Sequence, residues 1–313
     1  MPQPQPQQPA PARSPLVIGE VLFDHFPDES RVLGGAPFNV AWNLQGLGLA
    51  PTFLSCVGKD DEGDEVLDQM RQWGMATEGV QVSTDHSTGQ VQVTIADGQP
   101  SYQILDDQAF DAIDRPGFAV SDQTHSLIYT GSLALRHDAN RDTTLKLMQT
   151  TGLPCFLDVN IRQPWFDVQW AGQLIAGAKW VKLSEDELAY LSDQSWSHEE
   201  PSESEISQAV QVVRNRFAKD TPTGAYFVTL GHRGACAVTG DGAFWSVKPT
   251  NPPGGIQDTV GAGDAFVAAT IYGLVHDWAL DKTLPFASRF AANACTLKGA
   301  TTNDKQHYVK FVQ

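Results

Sequence analysis

The stretch DTVGAGD, Asp258 to Asp264, runs directly into the apolar residues Ala265, Phe266, Val267, Ala268, Ala269 and Ile271. It places an acidic residue, a glycine-rich turn and a second acidic residue at the mouth of a helix. Glycines let the backbone turn with its N–H groups exposed and converging. The helix start adds unpaired donors and a positive dipole end, which makes the turn an anion cradle. A carboxylate has a use at such a place if it works as a base beside the bound anion, and that pairing suits phosphoryl transfer to a hydroxyl. The competing explanation is a plain helix cap, a position that Asp favours. No Gly-Lys followed by Ser or Thr completes a Walker loop, and no G-x-G-x-x-G stands between a strand and a helix.

A second segment, GGAPFNVAWNLQGLG, covers Gly34 to Gly48. The two segments resemble the N- and C-terminal signatures of the ribokinase-like (PfkB-type) carbohydrate kinases, in that family's order and separation. The resemblance runs from about Leu16 to the C-terminus. A third segment, DVNIRQPWF from Asp158 to Phe166, resembles the D-x-N-x-R run of the fructokinase-like branch, as do the GEVLFD start and the GGAPFNVAWNL helix.

The chain has 313 residues, enough for one large α/β domain or two small ones, and 41% of them are hydrophobic, which supports a real core. A net charge of −16 argues against nucleic acid or an anionic membrane as a general partner. Cys56, Cys155, Cys236 and Cys295 are scattered, with no CxxC pair and no metal-ligand spacing, so buried free thiols in a reducing cytoplasm are expected. No run is long enough to cross a membrane, and the N-terminus lacks a signal pattern.

Residues 1–15 are rich in proline and glutamine and are expected to form a disordered, partly polyproline leader. The remainder, 16–313, is expected to be one kinase domain. LVIGEVLFD (Leu16 to Asp24) reads as a buried strand. A helix follows from near Pro37, burying Phe38, Val40, Ala41 and Leu44. TFLSCVG is the next strand, and Asp61 to Gly74 an amphipathic helix closed by glycine. From Gln90 to Leu105, Val91, Val93 and Ile95 alternate with polar residues, and after the turn Asp97-Gly98-Gln99-Pro100 come Tyr102 and Ile104. This is a hairpin with one apolar face. Residues 88–106, with part of 25–33, are expected to form an inserted β lid, with Tyr102 in its core packing or, alternatively, touching the sugar. Strand–helix alternation then resumes through HSLIYTGSL, PCFLDVNIR, AKWVKLSEDEL, AYFVTLG, ACAVTG and AFWSV, with final helices near Asp264–Val275 and Leu284–Lys298. The pattern predicts an α/β doubly wound, mostly parallel sheet flanked by helices, with a small β lid.

Ligands of such sheets sit beyond the carboxyl ends of the strands. Asp264 is the expected general base, and the N–H groups of Gly261, Ala262 and Gly263 the expected stabilisers of the transferred phosphoryl. The family assigns base and anion hole to these motif positions. Asp24, Gly34, Gly35 and Asn39 match the positions the family uses to grip sugar hydroxyls, though the two glycines also read as simple turn residues and Asn39 as a helix-surface amide; Asn160 and Arg162 follow a strand on the same edge. Arg162 has two explanations, a contact to the sugar or an acidic substrate end, and a structural ion pair. The nucleotide is expected along Thr229, Gly231 and Gly234 and at Asn293, which stands among alanines that would let adenine approach or would serve close helix packing. Lys182 would reach a phosphate or lie in solvent. Glu187 would belong to a magnesium shell, though Ser184-x-x-Glu187 is also a complete capping box. In relatives, backbone carbonyls near positions matching Asp258 and Val260 hold a monovalent cation such as K+.

The implied activity is an ATP-dependent sugar kinase acting on a primary hydroxyl, fructose first, with magnesium as cofactor, and with 2-keto-3-deoxygluconate, ribose or a nucleoside as other acceptors. A homodimer through the lid is a further implication of the family, in which monomers also occur. A non-catalytic binding member of the fold would have lost the base or the glycine turn; both are present here. A nicotinamide-dependent enzyme would need the missing fingerprint.

Overall fold

The computed structural model describes residues 13–96, 99–196, 198, 200–252 and 254–312. The chain opens with β1 (Ser14–Ile18), then β2 (Leu22–His25), β3 (Arg31–Gly34), α1 (Ala36–Gly46), β4 (Thr52–Gly58), α2 (Asp61–Trp73) and β5 (Val80–Ser83). Pro37 lies in the first turn of α1, and Phe38, Val40, Ala41 and Leu44 are buried by it as expected. α2 starts on the Asp60 carboxylate, which accepts from the Gly63 N–H, and ends on Gly74 in the left-handed conformation. The hairpin β6 (Gly89–Ala96) and β7 (Gln99–Ile104) follows, then β8 (His125–Thr130), α3 (Asp138–Thr151), β9 (Cys155–Asp158), α4 (Val168–Gly177) and β10 (Trp180–Ser184). The C-terminal half adds α5 (Glu185–Ser192), α6 (Glu203–Phe217), β11 (Ala225–Thr229), β12 (Ala235–Thr239), β13 (Phe244–Val247), α7 (Ala262–Val275), α8 (Leu280–Ala294) and α9 (Gln306–Val309).

Nine strands form one sheet in the order β13-β12-β11-β10-β9-β8-β1-β4-β5. All its pairs are parallel except β11–β12 and β12–β13. Both faces are covered, which is the condition for a parallel sheet. Val17, Phe53, Phe156 and Phe227 face a core shared with α1, α2, α7 and α8. Their strand neighbours Leu157, Val181, Leu183 and Val228 face a second core with α4, α5 and α6. Leu16, Ile18 and Leu54 pack with Phe110, Ile113 and Leu133. This is the doubly wound arrangement the alternation predicts.

The smaller sheet, β3-β2-β6-β7, differs in detail from the expectation. Leu16 to Asp24 is not one strand. The chain leaves the large sheet after Ile18, crosses over Gly19, Glu20 and Val21, and enters the small sheet at Leu22. A Cβ on Gly19 would overlap Pro37, so the crossing is pressed against the start of α1. Two strands drawn from 22–34 therefore join the hairpin. Val91 and Val93 are buried beneath it, but Tyr102 is 55% exposed, so the expected packing of Tyr102 does not occur. The first strand starts at Ser14, two residues inside the expected leader, while 1–12 and residues 97 and 98 of the expected turn lie outside the described residues.

α8 runs from Leu280 to Ala294 rather than from Leu284 to Lys298. It takes Pro285 into its interior, and its end is set by the following residues folding back. The Cys295 carbonyl accepts from Gln257, and the Gly299 N–H reaches Asp258. Cys56, Cys155 and Cys236 are buried free thiols, whereas Cys295 is only partly buried. No helix among the described residues is long and apolar enough to cross a membrane.

Candidate active site

The carboxyl ends of β9, β10 and β11 and the N-terminus of α7 meet at one edge of the large sheet. Gly261 turns the chain into α7 with φ +76, and a Cβ there would overlap Ala300, so both the conformation and the space require glycine. Asp264 is the third residue of α7. It does not cap the helix; its carboxylate accepts the Asn39 side-chain N–H at 2.8 Å. Among the described residues, the N–H groups of Gly261 and Gly263 have no backbone acceptor. That of Ala262 is spent on the Thr259 carbonyl at 3.2 Å. Two of the three expected donors therefore remain for an anion, joined by the N–H of Asp264 itself.

Burial pushes the Asp264 carboxyl above its ordinary range, while the Asn39 bond and the charges of Lys182 and Arg162 pull it back. Asn39 is 6% exposed, and its side-chain amide donates to Asp264 while its Oδ1 has no partner among the described residues. The sequence did not anticipate this bond, because residues 39 and 264 are brought together by the packing of α1 against α7.

Asp24 lies on β2, half-buried, with its pKa raised by burial and eased by His25. Its Oδ2 stands 3.8 Å from the place a Cβ on Gly34 would take, so these two expected sugar contacts are neighbours. Gly35 begins α1 with φ +105, and a Cβ there would lie 2.7 Å from the Glu20 carbonyl. Asn160 adopts φ +41 just past β9, and its carbonyl accepts the Ser132 hydroxyl at 3.0 Å. Arg162 is exposed and, among the described residues, pairs with no carboxylate within ion-pair distance; it donates to the Ile161 carbonyl at 3.1 Å. The structural ion pair offered as its alternative explanation is absent.

Lys182 is not in solvent. It is buried, and its Nζ donates to Asp158 at 3.0 Å. Burial works against the ammonium, but the carboxylates of Asp158, Glu187 and Asp264 outweigh it and hold the lysine protonated. The Nζ lies 4.0 Å from where a Cβ on Gly263 would be, which sets a fixed positive charge beneath the glycine turn. Glu187 is the acceptor half of a capping box. Its Oε2 takes the Ser184 N–H at 2.6 Å, and its Oε1 takes the Ile161 N–H at 2.8 Å. Both oxygens are committed to backbone donors, so a magnesium ion would meet this carboxylate through water rather than directly.

Thr229 ends β11, Gly231 is left-handed with open space around it, and a Cβ at position 234 would overlap the Val247 carbonyl, so only glycine fits there. Asn293 is 3% exposed, and its amide is already engaged by His307 and Lys310, so it offers no free group to adenine. The same residue borders a cavity of about 830 Å³ along the outer face of α8, lined also by Thr250, Phe286, Arg289 and Lys310.

Two residues absent from the sequence expectations belong to this edge. Glu20 is 2% exposed, and Tyr129 is fully buried in β8. Glu20 could have been found, because it is the one carboxylate inside the otherwise apolar run from Leu16 to Phe23. Tyr129 carries no sequence signal.

The arrangement can hold an anion at the start of α7, place a carboxylate beside it and keep a lysine below it. The profile of the pfkB family carbohydrate kinases matches residues 18–307. The chain is 30% identical to the fructokinase of Klebsiella pneumoniae, over 91% of this chain and 94% of that one. It is 27% identical to the aminoimidazole riboside kinase of Salmonella typhimurium, over 91% and 90%. A fructokinase double mutant from Vibrio cholerae, solved with fructose, ADP and a potassium ion, superimposes with a TM-score of 0.77 over 96% of this chain and 99% of that one. At 23% identity this last likeness establishes the ribokinase-like fold.

Proposed function

The chain belongs to the pfkB family of carbohydrate kinases, and on that footing we propose that this phosphotransferase is an ATP-dependent fructokinase, moving the γ-phosphoryl group to a primary hydroxyl of a small sugar. The observation that carries this reading is the Asp264 carboxylate beside the unspent N–H groups of Gly261 and Gly263, with its orientation fixed by Asn39. The acceptor hydroxyl would lie between Asp264 and the phosphoryl group. Asp264 takes its proton as the oxygen–phosphorus bond forms and the bond from the γ-phosphorus to the bridging oxygen breaks, releasing ADP, and the glycine N–H groups and Lys182 balance the charge on the phosphoryl oxygens. Asp24 and the backbone at Gly34 and Gly35 would hold the remaining hydroxyls.

Thr229, Gly231 and Gly234 are the proposed nucleotide contacts. Magnesium arriving with ATP would offset phosphate charge, with Glu187 fitting it only through bridging water. The Asp258 carboxylate ties its loop to Val260 and Gly299, and this loop is the proposed place of a potassium ion. Exposed Val32 and Tyr102 on the small sheet support a homodimer paired through that sheet. The buried free thiols fit a cytoplasmic setting.

A second reading concerns the acceptor. The exposed, unpaired Arg162 favours an acidic acceptor such as 2-keto-3-deoxygluconate over a neutral hexose. Ribose and nucleosides remain in the set, because one relative is named as a riboside kinase. Coupled ADP-release assays against neutral sugars, sugar acids and nucleosides test the proposal. Turnover highest with fructose supports it, preference for a sugar acid supports the second reading, and turnover with none of them overturns both.

A further inference from the structure

Between the large and small sheets the chain passes through Gly19, Glu20 and Val21 with little room. Pro37 blocks one side of Gly19, and Gly35 lies against the Glu20 carbonyl. The Glu20 side chain points inward from this crossing and is 2% exposed. Other buried carboxylates here hold donors, and none of their buried oxygens stands without a partner among the described residues. Both oxygens of Asp111 accept from Arg136, both of Glu187 accept backbone N–H groups, and Asp158 holds Lys182. Glu20 differs, for among the described residues its Oε2 is a buried carboxylate oxygen with no hydrogen-bond partner. A side chain retained for architecture alone would satisfy both oxygens or be neutral.

Its surroundings are catalytic. Ile18 pairs with Thr130, so the end of β1 lies beside the end of β8, where the Tyr129 hydroxyl is also buried and partnerless. Asn39, which orients the base, leaves its own Oδ1 unsatisfied. Three polar atoms without partners among the described residues thus come from three separate segments, and one of them belongs to Asn39, whose amide holds Asp264. The titratable and charged groups that act on Glu20 are Arg162 beyond β9 and Asp264 on α7, with Glu20 in turn acting on Tyr129.

We propose that Glu20 is a positioning residue of the transfer reaction: a buried carboxyl behind the base whose charge state sets the proton affinity of Asp264 and draws Arg162 over the cleft. This rests on the reading of Asp264 as the base. Burial pushes the Glu20 carboxyl up to about 7, with the negative charge of Asp264 adding to that rise and Arg162 opposing it. The coupling is mutual: an ionised Glu20 makes Asp264 a stronger base, and a protonated one makes it weaker.

Two measurements decide the matter. The first follows kcat against pH with whichever acceptor gives turnover. Wild-type protein is expected to show an ionisation near pH 7, and Glu20→Gln to lose it while the acid limb of Asp264 moves to lower pH. A Glu20→Gln profile that overlays the wild type while turnover persists overturns the proposal and leaves the base assignment standing. The second needs no turnover and covers a Glu20→Gln that fails to fold. Carbon NMR of labelled glutamate carboxyls is expected to show Glu20 titrating near pH 7, lower in Asp264→Asn and higher in Arg162→Gln. A Glu20 titration that neither variant moves overturns the proposal even if the enzyme is inactive.

Discussion

The amide of Asn39 donates to the carboxylate of Asp264 at 2.8 Å, linking the first turns of α1 and α7 across most of the chain. This bond favours the ionised base, against the burial that disfavours it. Asn39→Ala removes a stabiliser of the charged form, so the pKa of Asp264 rises further. With Asp264 as the proposed base, catalysis would need that carboxylate ionised, so the acid limb of kcat is expected to move to higher pH, with turnover at pH 7 falling. A pH profile of the variant with the limb unmoved, or moved down, contradicts the orienting role.

Asp264→Asn keeps size and hydrogen bonding but cannot accept a proton. It is expected to keep the circular dichroism and melting temperature of wild type while kcat falls by about 10³-fold, the usual range for a lost general base. Turnover close to wild type would remove Asp264 from the mechanism.

Asp24→Ala is expected to raise the KM of the sugar by roughly 10–100-fold, the loss of charged hydrogen bonds worth about 1.5–3 kcal/mol. The KM of ATP should stay within a factor of about two, because Asp24 lies on the small sheet, away from Thr229 and Gly234. Equal losses for both substrates would place Asp24 outside the sugar site.

The pair Asp158–Lys182 separates stability from chemistry. Lys182→Met strands a buried carboxylate and is expected to cost about 3–5 kcal/mol in urea unfolding. The double change Asp158→Leu with Lys182→Met replaces both charges by apolar groups and should regain most of that loss. If Lys182 serves the phosphoryl group, kcat stays low in the double variant although stability returns. Recovery of both together would make the pair purely structural.

The signals that decided the fold were local ones. DTVGAGD needs Gly261 at φ +76 and a tight fit under Ala300, and GGAPFNV needs Gly35 to clear Glu20; both demands act on single positions and leave marks in the sequence. The break between β1 and β2 was missed because the apolar run from Leu16 to Phe23 is continuous in hydropathy. Only Gly19 and Glu20 interrupt it, and Gly19 matters through Pro37, eighteen positions on. Lys182 was read as serving phosphate or solvent because its partner Asp158 stands on the neighbouring strand, and register between parallel strands is not written in either segment. Asn39 and Asn293 were assigned to ligands for the same kind of reason. Their amides are claimed by Asp264 and by His307 and Lys310, residues that only tertiary packing brings near.

β3 ends at Gly34, Gly35 opens α1, and Asn39 is the fourth residue of that helix. The sheet that would fold over an alcohol is therefore mechanically continuous with the clamp on the proton acceptor. Drawing the small sheet inward would tug α1 and, through one hydrogen bond, reset the aim of Asp264. With Asp264 as the proposed base, an enzyme wired this way would bring it to bear when the right guest arrives, and would squander little ATP on water while it waits.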